Sequence, residues 1–329
     1  MDDTQFGSRD RRGYWKPDRR IEYPPAFVWP ARPVRFLKWM FGIPGYLLPW
    51  NLFYLGVTLA FWIFLTPEIE TLRTFSVGWV AYLLARNALL VLLFFGAWHL
   101  RLYIRKSQDT RFKFNESWPS TDNAAFLFRS QTADNMVWTF ASAVPIWTAY
   151  EALTLWAFSN GYVFWLQWLD SPVYFIILLL LIPMIRDVHF YAIHRLIHWP
   201  PLYRRIHSLH HKNINPGPWS GLAMHPGEHL FYFSGVLLHF ILPSHPVHAL
   251  FHLMHAALSP AQGHVGFDKV ELGEESAMDT HSYAHYLHHR YFNCNYADGA
   301  VPLDRWLGTF HDGSDEAHEK MQDRIRGAN

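Results

Sequence analysis

Twenty-one of the 329 residues are histidine, and eighteen of them lie between His189 and His289. Three tight boxes stand out. His194 and His198 are four apart in HRLIH. His207, His210 and His211 sit in HSLHH, and His285, His288 and His289 repeat that spacing in HYLHH. Residues at i, i+3 and i+4 share one face of a helix, so each box can aim its imidazoles in a single direction. A lone histidine on an apolar face is ordinarily a satisfied core residue. Eight in three boxes point instead to a multi-histidine metal site. One zinc takes four ligands, so eight or nine neutral imidazoles fit two metals with four or five nitrogens each. Open positions on such metals suit oxygen chemistry on iron, whereas a hydrolytic zinc site uses fewer histidines plus carboxylate.

The remaining histidines divide by context. His264, in GHVGFD, is flanked by glycines between the second and third boxes, where a turn can aim it inward; the residues alone leave its ligation open. His225 and Glu228, in HPGEH, form a loop pair suited to orienting a ligand. His248, His252 and His255 also fall at i, i+4 and i+7, but their neighbours are wholly apolar, which favours a packing face.

Composition narrows the chemistry. The formal net charge is +1, so nothing electrostatic points to nucleic acid. The single cysteine, Cys294, excludes an internal disulfide, a Cys-ligated zinc and a Cys-ligated iron–sulfur cluster. Imidazole is left as the metal ligand, with carboxylate in support.

The elements that must position the boxes are apolar. Leu47–Leu65 is an uncharged run of 19 residues, enough for one membrane span. Gly78–Leu100, Met136–Phe158 and Val173–Ile185 are three more candidates, and the last runs directly into the first box. Arg9, Arg11, Arg12, Lys16, Arg19, Arg20, Arg32, Arg35 and Lys38 precede the first span, and Arg101, Arg105, Lys106, Arg111 and Lys113 follow the second. Basic residues return beside the boxes as Arg186, Arg195, Arg204, Arg205 and Lys212. The positive-inside rule then places all three boxes and both termini on the cytosolic side. Arg86 and Glu151 fall at membrane depth, where pairing across two helices would neutralise both. Glu228–Leu258 reads as a shallow re-entrant or interfacial hairpin that walls a lipid-access path, because its apolar pieces are too short to cross. A substrate oxidised in this setting is a lipid.

The boxes are similar to the HX3H, HX2HH and HX2HH boxes of the fatty acid hydroxylase/sterol desaturase superfamily of integral membrane oxygenases. Asp187, Tyr191 and Arg195 in DVHFYAIHR resemble its D-x-x-x-Y-x-x-H-R lead-in, and His225-Pro226 with Glu228 resembles its H-P-x-E. His264 in GHVGFD resembles its H-S-G-Y-D segment. Asn295-Tyr296 and Leu303-Asp304-Arg305-Trp306-Leu307-Gly308-Thr309 resemble its N-Y and W-D-R-x-F-G-T ending. The likeness covers about 183–311. Ala284 stands where many relatives carry a further histidine, and His281 is a reserve candidate for that role.

The resemblance implies two irons held by His194, His198, His207, His210, His211, His264, His285, His288 and His289. It also implies dioxygen as co-substrate and hydroxylation or desaturation of a lipid such as a sterol, fatty acyl, ether-lipid or carotenoid-like molecule. Asp187, Tyr191 and Glu228 are candidates to orient the imidazoles, and Asp304 and Arg305 to anchor the C-terminal segment against the histidine helices. No haem, flavin or iron–sulfur motif is present, so electrons must come from an external carrier of ferredoxin or cytochrome b5 type. A histidine-rich metal transporter or sensor is the rival from another class. It predicts ligands strung along a path inside the spans.

The expected architecture is an all-α membrane protein with about four transmembrane helices, the hairpin, and a cytosolic helical cap carrying the boxes. A basic arm over residues 1–45 precedes a single domain over 46–311, with the box region at 183–311. A polar, frayed tail covers 312–329.

Overall fold

The computed structural model describes residues 1–327. The tail's last two residues, 328 and 329, lie outside the described residues. Eleven helices carry the architecture. They are α1 (Pro33–Phe41), α2 (Leu52–Phe64), α3 (Val77–His99), α4 (Gln131–Trp138), α5 (Val144–Ser159) and α6 (Pro172–Ile197), followed by α7 (Ser208–His211), α8 (Pro226–Phe233), α9 (Pro246–Gly263), α10 (Tyr283–Tyr291) and α11 (Asp315–Gly327). Two antiparallel hairpins complete it, β1 (Gly7–Arg9) with β2 (Trp15–Pro17) and β3 (Lys269–Glu271) with β4 (Ala277–Asp279).

Among the described residues, three helical stretches are long and apolar enough to cross a membrane: Leu47–Phe64, Val77–Ile104 and Pro172–Ile197. A third or less of their apolar windows is buried, so they turn leucine, isoleucine and phenylalanine outward. An outward apolar surface of that kind suits hydrocarbon, which makes this a membrane protein.

Met136–Phe158, expected as a fourth span, differs in character. It lies in a helical stretch that runs from α4 through a wide turn at Thr139–Ala143 into α5, but it does not join the apolar set. Thr139, Ser142, Thr148, Glu151 and Thr154 lower its hydropathy, and ten of the sixteen α5 residues are buried. It is an inner helix of the bundle. Its Glu151 pairs with Arg86 of α3, as the sequence suggested. Asn87 donates to the other Glu151 oxygen at 2.8 Å, and Arg86 also reaches the Leu65 carbonyl at 3.0 Å. The buried charges are thus fully engaged, which a low-dielectric interior demands.

The expected shallow hairpin is corrected by α9. Residues 226–263 do double back, through α8 and a tight-helical turn at Ser234–Phe240, but fifteen of the eighteen α9 residues are buried. The helix packs on α2, α5 and α6. It is the central post of the molecule, because its small residues Ala249, Ala256, Ala257 and Ala261 let neighbours approach closely on several sides.

The basic arm is ordered by its β1–β2 hairpin, which inserts Trp15 into a cluster with Phe112, Phe114, Tyr283, Tyr286 and Leu287, behind the third histidine box. The tail is not frayed over its described part. Helix α11 buries Met321, and Arg324 donates to the Gly308 and Asn293 carbonyls.

Candidate metal centre

Each box sits where a helix ends or turns. His194 and His198 occupy the last turn of α6, and Pro200-Pro201 breaks the chain so that His207, His210 and His211 fold back beside them. His264 caps the C-terminus of α9, and α10 carries His285, His288 and His289. All of these except the half-buried His198 are buried.

The nine imidazoles converge in two groups. His194, His198, His207, His211 and His288 form one, and His210, His264, His285 and His289 form the other. Within each group the candidate ligand nitrogens lie within 4.8 Å of one another. In the first group His207 Nε2 lies 3.2 Å from that of His194 and 3.1 Å from that of His198. His211 Nε2 lies 3.2 Å from His198 Nε2 and 3.0 Å from His288 Nε2. In the second, His264 Nε2 lies 3.3, 3.0 and 2.9 Å from those of His210, His289 and His285. His210 and His211 are adjacent in sequence but serve different groups, and so do His288 and His289. Successive helix positions point about 100° apart, so each adjacent pair straddles the centre.

The opposite edges of the rings fix the tautomers. His194 Nδ1 donates to the Tyr296 carbonyl at 2.7 Å, His288 Nδ1 to Cys294 at 2.6 Å, His264 Nδ1 to Pro260 at 2.9 Å and His210 Nδ1 to Ala223 at 3.4 Å. His207 Nδ1 donates to Glu228 Oε1 at 2.7 Å. A carbonyl can only accept, so the proton sits on Nδ1 and Nε2 carries a lone pair. Burial and the neighbouring imidazoles push His207, His210, His211, His285, His288 and His289 well below the ordinary histidine range, and His264 down to about 4. These rings are neutral at physiological pH.

Several bare nitrogens facing one another at about 3 Å cannot satisfy each other by hydrogen bonding. A shared cation reconciles them, and neutral imidazole is the ligating form. The donor set therefore fits a metal in each group. A narrow cleft touches both, walled by His194, His207, His210, His264 and His285 together with Arg186, Phe190, Tyr232 and Asp298.

The candidate orienting residues separate. Glu228 touches His207, and burial pushes its carboxyl well above the carboxylate range. Asp187 instead accepts from the Ala300 amide at 2.5 Å, and Gly299 packs so closely on its carboxylate that any Cβ there would overlap it. The Tyr191 hydroxyl faces Thr309 Oγ1 at 3.4 Å. Asp304 closes its own loop by accepting from the Tyr296 and Ala297 amides and from Thr309 Oγ1, and Arg305 donates to the Ile21 carbonyl of the arm rather than to a histidine helix. His281 pairs with Asp279 at 3.1 Å and belongs to neither group. Sequence reasoning missed the carbonyls of Ala223, Pro260, Cys294 and Tyr296. Backbone acceptors leave no mark on residue type, although the Asn295-Tyr296 motif lies beside two of them.

The fold and site together define a helical membrane protein with two groups of converging imidazoles, built from the end of one span, that could hold metal ions. The comparisons carry this one step further. Residues 179–309 match the family model described as fatty acid hydroxylase, so this stretch is similar to the fatty acid hydroxylase/sterol desaturase superfamily. It is 29% identical over 138 residues to a Delta(7)-sterol 5(6)-desaturase of Leptosphaeria maculans, covering 41% of this chain and 37% of that one. Another, from Gibberella zeae, is 33% identical over 127 residues, with 37% and 38% covered. A third, from Aspergillus fumigatus, is 30% identical over 160 residues, with 43% and 50% covered. The matched stretch thus spans about a third to a half of these relatives. No solved structure matches the chain significantly.

Proposed function

We propose that this chain is a membrane-bound oxidoreductase that uses two irons and dioxygen to oxidise a carbon–hydrogen bond of a lipid, by hydroxylation or desaturation. The convergence of five and four imidazole Nε2 atoms in two adjoining groups carries the reading. Imidazole-only sites favour a redox-active transition metal over magnesium or calcium. The bound irons would supply reduction of dioxygen and removal of hydrogen from the substrate carbon. The chain's own residues hold and orient the rest. His194, His198, His207, His211 and His288 would hold one iron, and His210, His264, His285 and His289 the other. Backbone carbonyls keep four of the ring edges turned outward, and Glu228 accepts the His207 proton. The apolar bundle excludes water beneath the centre.

The printed names of the relatives favour a sterol or sterol-like lipid and, between the two outcomes, desaturation. The transporter reading needs ligands distributed along the spans, whereas these nine gather in closed groups. Electrons would come from an external carrier of ferredoxin or cytochrome b5 type. Supporting this, Asp187 and Glu228 enclose a stretch with no acid but with exposed Arg195, Arg204 and Arg205 beside the half-buried His198.

A cytosolic location for the boxes and both termini follows the same reading. The arm and α11 both pack on the histidine cap, which supports an even number of crossings, with 131–159 as the fourth. The purified protein should contain two irons per chain and consume dioxygen when given reductant and lipid. Comparing the lipids of cells with and without it should reveal a hydroxylated or desaturated species. One labile zinc and no oxygen consumption would overturn the reading.

A further inference from the structure

Helix α1 has apolar residues on two faces, and only one of them is used. Phe36, Trp39 and Met40 turn toward the protein, where Trp39 lies 4.9 Å from the ring of Tyr46 and the Tyr46 hydroxyl donates to the Leu180 carbonyl of α6 at 2.6 Å. Val34, Leu37 and Phe41 follow the i, i+3, i+7 spacing of a second face, and they are 65%, 53% and 58% exposed. Trp29 and Ile43 extend this apolar surface at either end, at 89% and 70% exposed.

Cations border the open face. Arg32, Arg35 and Lys38 are exposed on or next to the helix, and no acidic residue occurs between Glu22 and Glu68. The first apolar span begins at Leu47, six residues after α1 ends, and Tyr46 ties the junction to α6. The open face is therefore continuous with the surface that suits hydrocarbon, and it lies where that surface gives way to polar residues.

We propose that α1 is an in-plane interfacial helix that docks on an anionic phospholipid surface. Val34, Leu37 and Phe41 sink among the upper acyl chains, while Arg32, Arg35 and Lys38 meet lipid phosphates. Trp29 and Trp39 fit the headgroup level, where indole is favoured. The residues just before α1 are fastened to the cap by the edge contact of Phe27 with Trp306, 5.4 Å between centroids, and by the bond from Arg305 to Ile21. Docking thus sets the height at which the arm, and the third histidine box in front of Trp15, ride over the bilayer.

The full-length protein in lipid nanodiscs tests this. Its only cysteine, Cys294, is buried, so wild-type protein serves as the unlabelled blank. Nitroxides are attached to Val34→Cys, Arg35→Cys, Leu37→Cys and Phe41→Cys in discs of phosphatidylcholine with or without phosphatidylserine. Collision rates are then measured with oxygen and with a water-soluble nickel chelate. Positions 34, 37 and 41 should favour oxygen, and position 35 the nickel chelate. Adding phosphatidylserine should deepen the three apolar positions, and combined Arg32→Gln, Arg35→Gln and Lys38→Gln should abolish that deepening. Free nickel access at 37, equal to that at 35, would overturn the docking. A depth pattern indifferent to phosphatidylserine and to the three substitutions would overturn the anionic partner. These residues make no buried contact, and the readout is independent of metal content and lipid oxidation.

Discussion

Two sets of histidines in this molecule share helical spacing and have opposite fates. On α9, His248, His252 and His255 fall at i, i+4 and i+7, as regular as any box. His248 uses both ring nitrogens structurally, accepting from the His245 amide at 2.9 Å and donating to the Phe175 carbonyl at 3.0 Å. His252 meets His239 at 3.2 Å, and the His255 ring stands edge-on to Tyr54 at 5.4 Å. In the candidate metal centre each ring instead turns its Nε2 toward those of rings from other segments. Spacing on one helix only presents imidazoles. A candidate metal site forms where α6, α7 and the turn before it, α9 and α10 bring four such presentations to one place.

The sharpest way to break the comparison is to remove ligands from each set. His210→Ala with His211→Ala should strip both groups, because the two residues serve different ones. Iron should fall to near zero by elemental analysis, and lipid oxidation should vanish. His252→Ala should leave iron content unchanged and lower stability by about 1–3 kcal/mol, the usual cost of a truncated buried side chain. Loss of iron from the His252 variant would erase the distinction drawn here.

The buried ion pair marks the next largest effect. Arg86→Met strands Glu151 in the apolar bundle and should destabilise the protein by about 3–5 kcal/mol, whereas the double change with Glu151→Leu should recover much of that loss. Thermal unfolding in detergent measures both.

Glu228 sharpens the comparison within the centre. Glu228→Ala leaves the His207 Nδ1–H without its acceptor and should weaken metal retention roughly 10–100-fold, the scale typical of a partner behind a metal ligand. Glu228→Gln keeps an acceptor oxygen and should rescue most of it. Competition with a chelator, followed over time, reads the difference.

The smallest expected effect is on pH. The centre's histidines titrate lower in the folded protein than in the unfolded chain, so the unfolded chain binds more protons as pH falls. The stability they contribute is fully present above the unfolded value of 6.5. It is lost as pH falls from there through the folded value, about 4 for His264. Iron should therefore be released progressively over that window, with no comparable loss between pH 7 and 8.

Much of this was legible from residue types. Three boxes with helical spacing, a single cysteine and long uncharged runs left little besides an imidazole-bound metal beside a membrane. The pairing of Arg86 with Glu151 was legible for the same reason, since a charge in an apolar run needs its opposite. The depth of α9 was not, because a helix of moderate length reads the same at an interface as in a core. Nor was the order of the arm, whose Trp15 packs on Phe112 and Phe114 and on Tyr283, Tyr286 and Leu287, all far along the chain.

The sequence by itself determined which atoms could bind metal, because only imidazole was available in number and a helical repeat turns it to one side. Tertiary structure alone decided which imidazoles converge. The split of His210 from His211, and of His288 from His289, depends on where four segments meet. The tautomers depend on backbone carbonyls that every residue carries and that only the fold can aim.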